Sequence, residues 1–178
     1  MTQSQHTDCP AWVFPASLPQ TYTRLFFMDH TFISQDSFTV VGYSTRIDPA
    51  APHTVDAHWE RFRAENPIEQ IEHRINDDIW AVYFNYEGDH TQPYDLLIGY
   101  RVEQSLPATK NLSIVTVPAN YYAMFFAQGK LPDAIQETWL TIHTSGLDRI
   151  FQVDFEVYGR FAQDPSDAEV PVYISVKE

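Results

Sequence analysis

The run Arg149-Ile150-Phe151-Gln152-Val153-Asp154-Phe155-Glu156-Val157-Tyr158-Gly159 sets a glutamate between aromatic residues in an apolar stretch. Strand side chains alternate between faces, so the run reads as a β-strand with Phe151, Val153, Phe155 and Val157 on one side. Gln152, Asp154, Glu156 and Tyr158 take the other side. Alone, this pattern fits a half-buried strand with its polar face in water. An earlier counterpart changes the reading: Phe84-Asn85-Tyr86-Glu87-Gly88 lies 71 positions upstream of Phe155-Glu156-Val157-Tyr158-Gly159.

The surroundings of the two runs also correspond. Residues 38–46 read as a long strand closed by Asp48-Pro49, and Thr54 is placed to cap a helix that carries Val55, Trp59 and Phe62 at i, i+4 and i+7. Eighty positions on, Ile135, Trp139 and Ile142 repeat that spacing in a helix that opens near Pro132 and stops at Gly146. Strands are expected at 79–86 and 94–103 in the first half. In the second they are expected at 112–118, 121–127, 149–158 and 169–176. A supplementary helical turn from Pro67, with Ile68, Ile71 and Ile75 on one face, accounts for the different offsets of helices and strands. The chain therefore reads as an α+β fold: two βαββ units joined in one antiparallel sheet, with helices 54–65 and 132–145 on one face and a ligand groove on the other. Asn85 and Glu156 then become pseudo-equivalent, and only one half carries the charge.

At 178 residues with 44% apolar and 15% aromatic content, the chain suits one globular domain with a sizeable core. No apolar run approaches the ~18 residues of a membrane span, and the N-terminus lacks the pattern of a secretory signal. A lone cysteine, Cys9, excludes an intrachain disulfide and fits the cytoplasm. A net charge of −13, with 11 scattered basic residues, argues against nucleic acid as a direct partner. Residues 1–33 are interrupted by Pro10, Pro15 and Pro19 and read as an extension that lies across the domain, a second copy or a protein partner. Residues 34–178 form the domain proper.

The chain resembles the GyrI-like small-molecule-binding domain, the effector-binding domain of AraC-type activators, and in particular stand-alone drug-binding members found on integron cassettes. The resemblance is carried by Phe84-Asn85-Tyr86-Glu87-Gly88-Asp89, Tyr94-Asp95-Leu96-Leu97-Ile98-Gly99-Tyr100, Val117-Pro118-Ala119-Asn120-Tyr121-Tyr122-Ala123-Met124-Phe125, Glu137-Thr138-Trp139 and Asp154-Phe155-Glu156-Val157-Tyr158. It implies a groove for small, often cationic aromatic molecules, with the family's central glutamate transferring onto Glu156. Family members joined to a helix-turn-helix module differ from this chain, where the 33 proline-broken residues offer no such module. Direct transcriptional control is therefore not expected.

Glu156 is the leading candidate, because a carboxylate against apolar surface is costly until a cation relieves it, and rings add cation–π attraction. Tyr158, Tyr83 and Asn85 are expected on its face by alternation, and Tyr100 on the neighbouring strand, where Gly99 permits close approach. Trp139 and Trp59 centre apolar helix faces and read as core residues, the alternative being that a ring reaches the cavity edge. Tyr122 and Phe125 fall on opposite faces, so at most one lines the groove. The Glu87-Gly88-Asp89 segment reads as a turn. The 7 histidines show no metal-ligand spacing, and no phosphate loop, nucleophile elbow or cysteine pair is present, so neither metal nor cofactor is expected. The leading function is a small-molecule-binding module acting by sequestration or as a regulatory effector module. The alternative is a GyrI-like hydrolase of strained electrophiles, cyclopropane-bearing compounds among them, in which Glu156 assists attack by water.

Overall fold

The computed structural model describes residues 30–51, 53–103 and 111–178. Cys9 and all but the last four residues of the expected extension lie outside them. The elements run β1 (Thr31–Gln35), β2 (Phe38–Ile47), α1 (His53–Glu65), a 3₁₀ turn (Pro67–Gln70), β3 (Arg74–Phe84), β4 (Tyr94–Val102), β5 (Ser113–Val117), β6 (Asn120–Gly129), α2 (Asp133–Thr144), β7 (Val153–Tyr158), a second 3₁₀ turn (Arg160–Ala162) and β8 (Ala168–Ser175). Both helices fall within a residue or so of their expected bounds. Thr54, expected as the cap, is the second residue of α1, and its hydroxyl donates to the Ala51 carbonyl at 2.9 Å. Gly146, at φ 73, lets the chain leave α2 through a left-handed residue.

One eight-stranded sheet has the order β1-β6-β8-β7-β3-β4-β2-β5. Its centre shows the duplication: β2-α1-β3-β4 contributes the trio β3-β4-β2, and β6-α2-β7-β8 contributes β6-β8-β7 as its counterpart. The halves join where β3 pairs antiparallel with β7. The edges also correspond, since β5 adds to β2 and β1 adds to β6. Strand β1 straddles residue 33.

The sheet curls. Phe38 in β2 and Phe155 in β7 are three strand spacings apart, which is ~14 Å in a flat sheet, yet their ring centroids lie 5.3 Å apart. Phe38, Trp80, Val82, Leu97, Tyr122 and Phe155 fill the interior of this curl as one apolar cluster. Both helices pack on the outer face. Helix α1 inserts Phe62 and α2 inserts Ile142, each almost wholly buried and each worth ~1.5–3 kcal/mol of burial. On that face Trp59 packs edge-on against Tyr158 and Trp139 edge-on against Tyr83.

Three expectations are corrected here. The groove expected on the face opposite the helices is not open at the centre of the sheet among the described residues, where curling packs Phe38, Trp80, Tyr122 and Phe155 together. Ile75 does not continue a helical face with Ile68 and Ile71: the 3₁₀ turn stops at Gln70, β3 begins at Arg74, and Ile75 is 47% exposed. The Arg74 guanidinium donates to the carbonyls of Ile68 and Ile71, binding the turn to the strand. Phe151 does not share the face of Val153 and Phe155 either. Its φ of 52 breaks the alternation before β7 starts, and its ring meets Tyr86 on the helix side.

Gly42 in β2 and Gly99 in β4 are direct cross-strand partners. A Cβ on either would lie far inside van der Waals contact of the opposing backbone, at the Ile98 or the Val41 carbonyl oxygen. The two strands therefore approach only because both positions lack a side chain. Gly99→Ala should destabilise the domain by about 3 kcal/mol or prevent folding, read by urea denaturation, whereas Gly146→Ala should cost about 1 kcal/mol for its left-handed φ alone.

Candidate functional site

The site is built on β7. From Val153 to Tyr158 the expected alternation holds: Val153, Phe155 and Val157 enter the interior cluster, while Asp154, Glu156 and Tyr158 face the helices. Register sets Glu156 between Ala81 of β3 and Val172 of β8, so no charged side chain stands beside it in the sheet. Its side chain is fully buried.

Three neutral donors converge on this carboxylate. The Tyr83 hydroxyl donates to Oε1 at 2.8 Å, the Trp139 indole N–H to the same oxygen at 2.5 Å, and the Tyr158 hydroxyl to Oε2 at 2.6 Å. Burial pushes the Glu156 carboxyl above the ordinary carboxylate range, and the bonds from Tyr158, Trp139 and Tyr83 only partly offset it. Burial also raises the surrounding phenols, with the field of Glu156 adding to it. Tyr94 is pushed up to about 12, and Tyr83 and Tyr158 are pushed well above their usual value. These hydroxyls therefore stay protonated and able to donate.

Two residues earlier, the other buried carboxylate is handled differently. Asp154 accepts from Arg149 Nη2 at 2.7 Å and from the Tyr86 hydroxyl at 2.8 Å. It also accepts from the Ser175 backbone N–H and hydroxyl at 2.7 and 2.9 Å. Both members of the Arg149–Asp154 pair are almost wholly buried. Among the described residues the fold thus supplies a cation to Asp154 and none to Glu156.

Of the eight candidate residues, Glu156, Tyr158, Tyr83 and Trp139 come together. Trp139 packs with its helix core and also turns its N–H onto Glu156. Tyr100 shares the face but lies against Phe62 and Arg74. Phe125 also faces the helices, within the α2 core and stacked on His30, while Tyr122 points into the curl against Phe155. Asn85 is the clear miss. Strand β3 ends at Phe84, Asn85 takes φ 52, and its amide donates to Asp95 at the surface. The residue actually opposite Glu156 is Ala81. Sequence reasoning overlooked Tyr94, whose ring lies 5.8 Å from that of Tyr83, and the Arg149–Asp154 pair. Alternation put Asp154 on the correct face, but only the left-handed Phe151 brings Arg149 back over it.

The class of protein follows from the family match, which is to an effector-binding, and so ligand-binding, domain. Residues 31–176 match the family described as "Integron-associated effector binding protein" (Cass2), and the chain belongs to that family. It is 26% identical over 139 residues to YobU of Bacillus subtilis, a protein named for transcriptional regulation, covering 76% of this chain and 87% of YobU. It is also 26% identical over 162 residues to the transcriptional regulator BrlR of Pseudomonas aeruginosa, spanning 86% of this chain but 57% of BrlR. Among solved structures, SAV2435 bound to tetraphenylphosphonium has a TM-score of 0.69 at 19% identity, over 84% of this chain and 94% of that one. The Vibrio cholerae integron cassette protein VCH_CASS2 gives 0.66 at 21%, over 83% and 95%. These two likenesses are of fold. Among the described residues no helix is long and apolar enough to cross a membrane.

The two carboxylates predict opposite responses to removal. Arg149→Met strands Asp154 in the core and should cost about 3–5 kcal/mol. Glu156→Gln should instead stabilise the ligand-free protein at neutral pH. A carboxyl whose folded-state pKa is raised holds its proton more tightly when folded, so stability falls as pH rises from the unfolded value through the folded one. The advantage of the glutamine should therefore be present at pH 8 and gone at pH 4, read by urea denaturation at both.

Proposed function

We propose that the chain binds small organic cations of aromatic or amphipathic character, with Glu156 as counter-ion and the rings of Tyr83, Trp139 and Tyr158 around it. Captured ligand is either sequestered or acts as an effector signal. The observation that carries this reading is the contrast on β7: two buried carboxylates, of which, among the described residues, Asp154 has a guanidinium and Glu156 has only neutral donors. A buried anion without a cation is costly, and a ligand that brings the cation recovers that cost on binding. Tyr158, Trp139 and Trp59 are only half-buried, so rings form the boundary between Glu156 and solvent. Each ring face can add ~0.5–2 kcal/mol of cation–π attraction.

The relatives support the same chemistry. Tetraphenylphosphonium, the molecule bound to SAV2435, is a cation wrapped in four phenyl groups. The names of YobU and BrlR favour an effector role.

Calorimetric titration with tetraphenylphosphonium and with neutral triphenylphosphine oxide tests the proposal. The native protein should prefer the cation, and Glu156→Gln should weaken cation binding by about 10–100-fold, or ~1.4–2.7 kcal/mol, while leaving the neutral probe within threefold. Cation affinity should rise with pH until Glu156 is ionised, because only the carboxylate attracts it. Equal binding of both probes, unchanged in the variant, would overturn the reading.

A further inference from the structure

A second polar cluster lies around Trp139, which meets both His143 and Arg149. Arg149 is its base. Its Nη2 is committed to Asp154, while Nε and Nη1 are buried and meet no acceptor among the described residues. The faces of the guanidinium are covered by rings, with Cζ 4.3 Å from the Phe151 centroid and 5.7 Å from that of Trp139. Guanidinium N–H bonds lie in the plane of the group, and Nε–H and Nη1–H point from different edges of it, so each is a separate unfilled position for an acceptor.

Two imidazoles pack against the rings that cover this guanidinium. His90, from the loop between β3 and β4, stacks on His143 of α2 with centroids 4.0 Å apart and planes 11° from parallel. His143 also meets Trp139, and His90 meets Phe151. Burial, then His90, then Arg149 hold His143 down to about 4. The charged and titratable groups around the cluster are Asp89, Tyr86 and Asp154. Asp89 is already engaged by the Thr91 hydroxyl and N–H, and Tyr86 donates to Asp154. The cluster therefore holds one fixed cation with unused donors and two groups able to become cations. The acids around them are already bonded elsewhere.

We propose that Arg149, His143 and His90 form a binding site for an oxyanion, a carboxylate or phosphate group, separate from the cation site at Glu156. The anion takes a free Arg149 donor and favours protonation of the imidazoles. It thereby ties the 85–93 loop to the end of α2, the helix that carries Trp139. An unpaired buried donor costs ~1–3 kcal/mol, which a bound acceptor would recover.

The test titrates the full chain with inorganic phosphate and with acetate at constant ionic strength, chloride serving as control. The His90 and His143 ring signals are followed by NMR. Saturable shifts are expected, with His143 titrating at higher pH when the anion is bound and affinity rising as pH falls. His90→Gln and His143→Gln sit at the surface side of the cluster, and each should weaken binding about tenfold. Arg149→Lys keeps a charge for Asp154 but fewer donors and should lose binding altogether. If that variant fails to fold, the two histidine variants carry the test. Glu156→Gln should leave anion binding unchanged, which separates this inference from the cation proposal. Failure to saturate, or equal affinity in the double histidine variant, would overturn the site.

Discussion

A glutamate carboxylate held out of water by three neutral donors is the constraint around which the outer face of this domain is arranged. Keeping it there requires Tyr83 from β3, Tyr158 from β7 and Trp139 from α2 to aim at one point. Those three residues come from both βαββ units, so the site exists only because the duplicated halves join at the β3–β7 seam. Strand β7 does both jobs at once. Phe155 on its inner side fixes the curl through contacts with Phe38, Trp80 and Tyr122, and Glu156 on its outer side is positioned by that same rigidity.

The energetic logic is that of stored cost. Desolvating an anion without a cation opposes folding, and hydrogen bonds from phenols and an indole recover only part of it. Asp154 shows that the fold can do otherwise, since Arg149 neutralises it in the same strand. A fold optimised for stability alone would treat both acids alike. In the proposed function this difference is the source of a preference for positive charge, because a neutral ligand cannot relieve the unpaired carboxylate.

The helical faces and the strand alternation were legible in the sequence because period 3.6 and period 2 are local signals. Val55, Trp59 and Phe62, with their counterparts 80 positions on, lie where their spacing put them, and Glu156 sits on the face its register assigned. Which face of the sheet met the helices was not legible. One face of β7 carries Val153, Phe155 and Val157 and the other Asp154, Glu156 and Tyr158, and only the curl, a sum of pairings across the whole sheet, decides that the apolar face turns away from the helices. Asn85 failed for a related reason. The 71-residue match is a likeness of strand endings, and a strand ending is where a left-handed residue such as Asn85 can turn the chain away. Left-handed Phe151 hid the Arg149–Asp154 pair in the same way, since backbone conformation of a bulky residue at positive φ is dictated by tertiary packing.

The most direct measurement is the titration of the Glu156 carboxyl itself, followed by carbon NMR in glutamate-labelled protein with and without tetraphenylphosphonium. The account predicts a ligand-free pKa above the ordinary glutamate value of ~4.3 and a fall when the cation binds, as the missing counter-charge arrives. A carboxyl that titrates normally in the free protein, or one whose titration is indifferent to saturating cation, would contradict it.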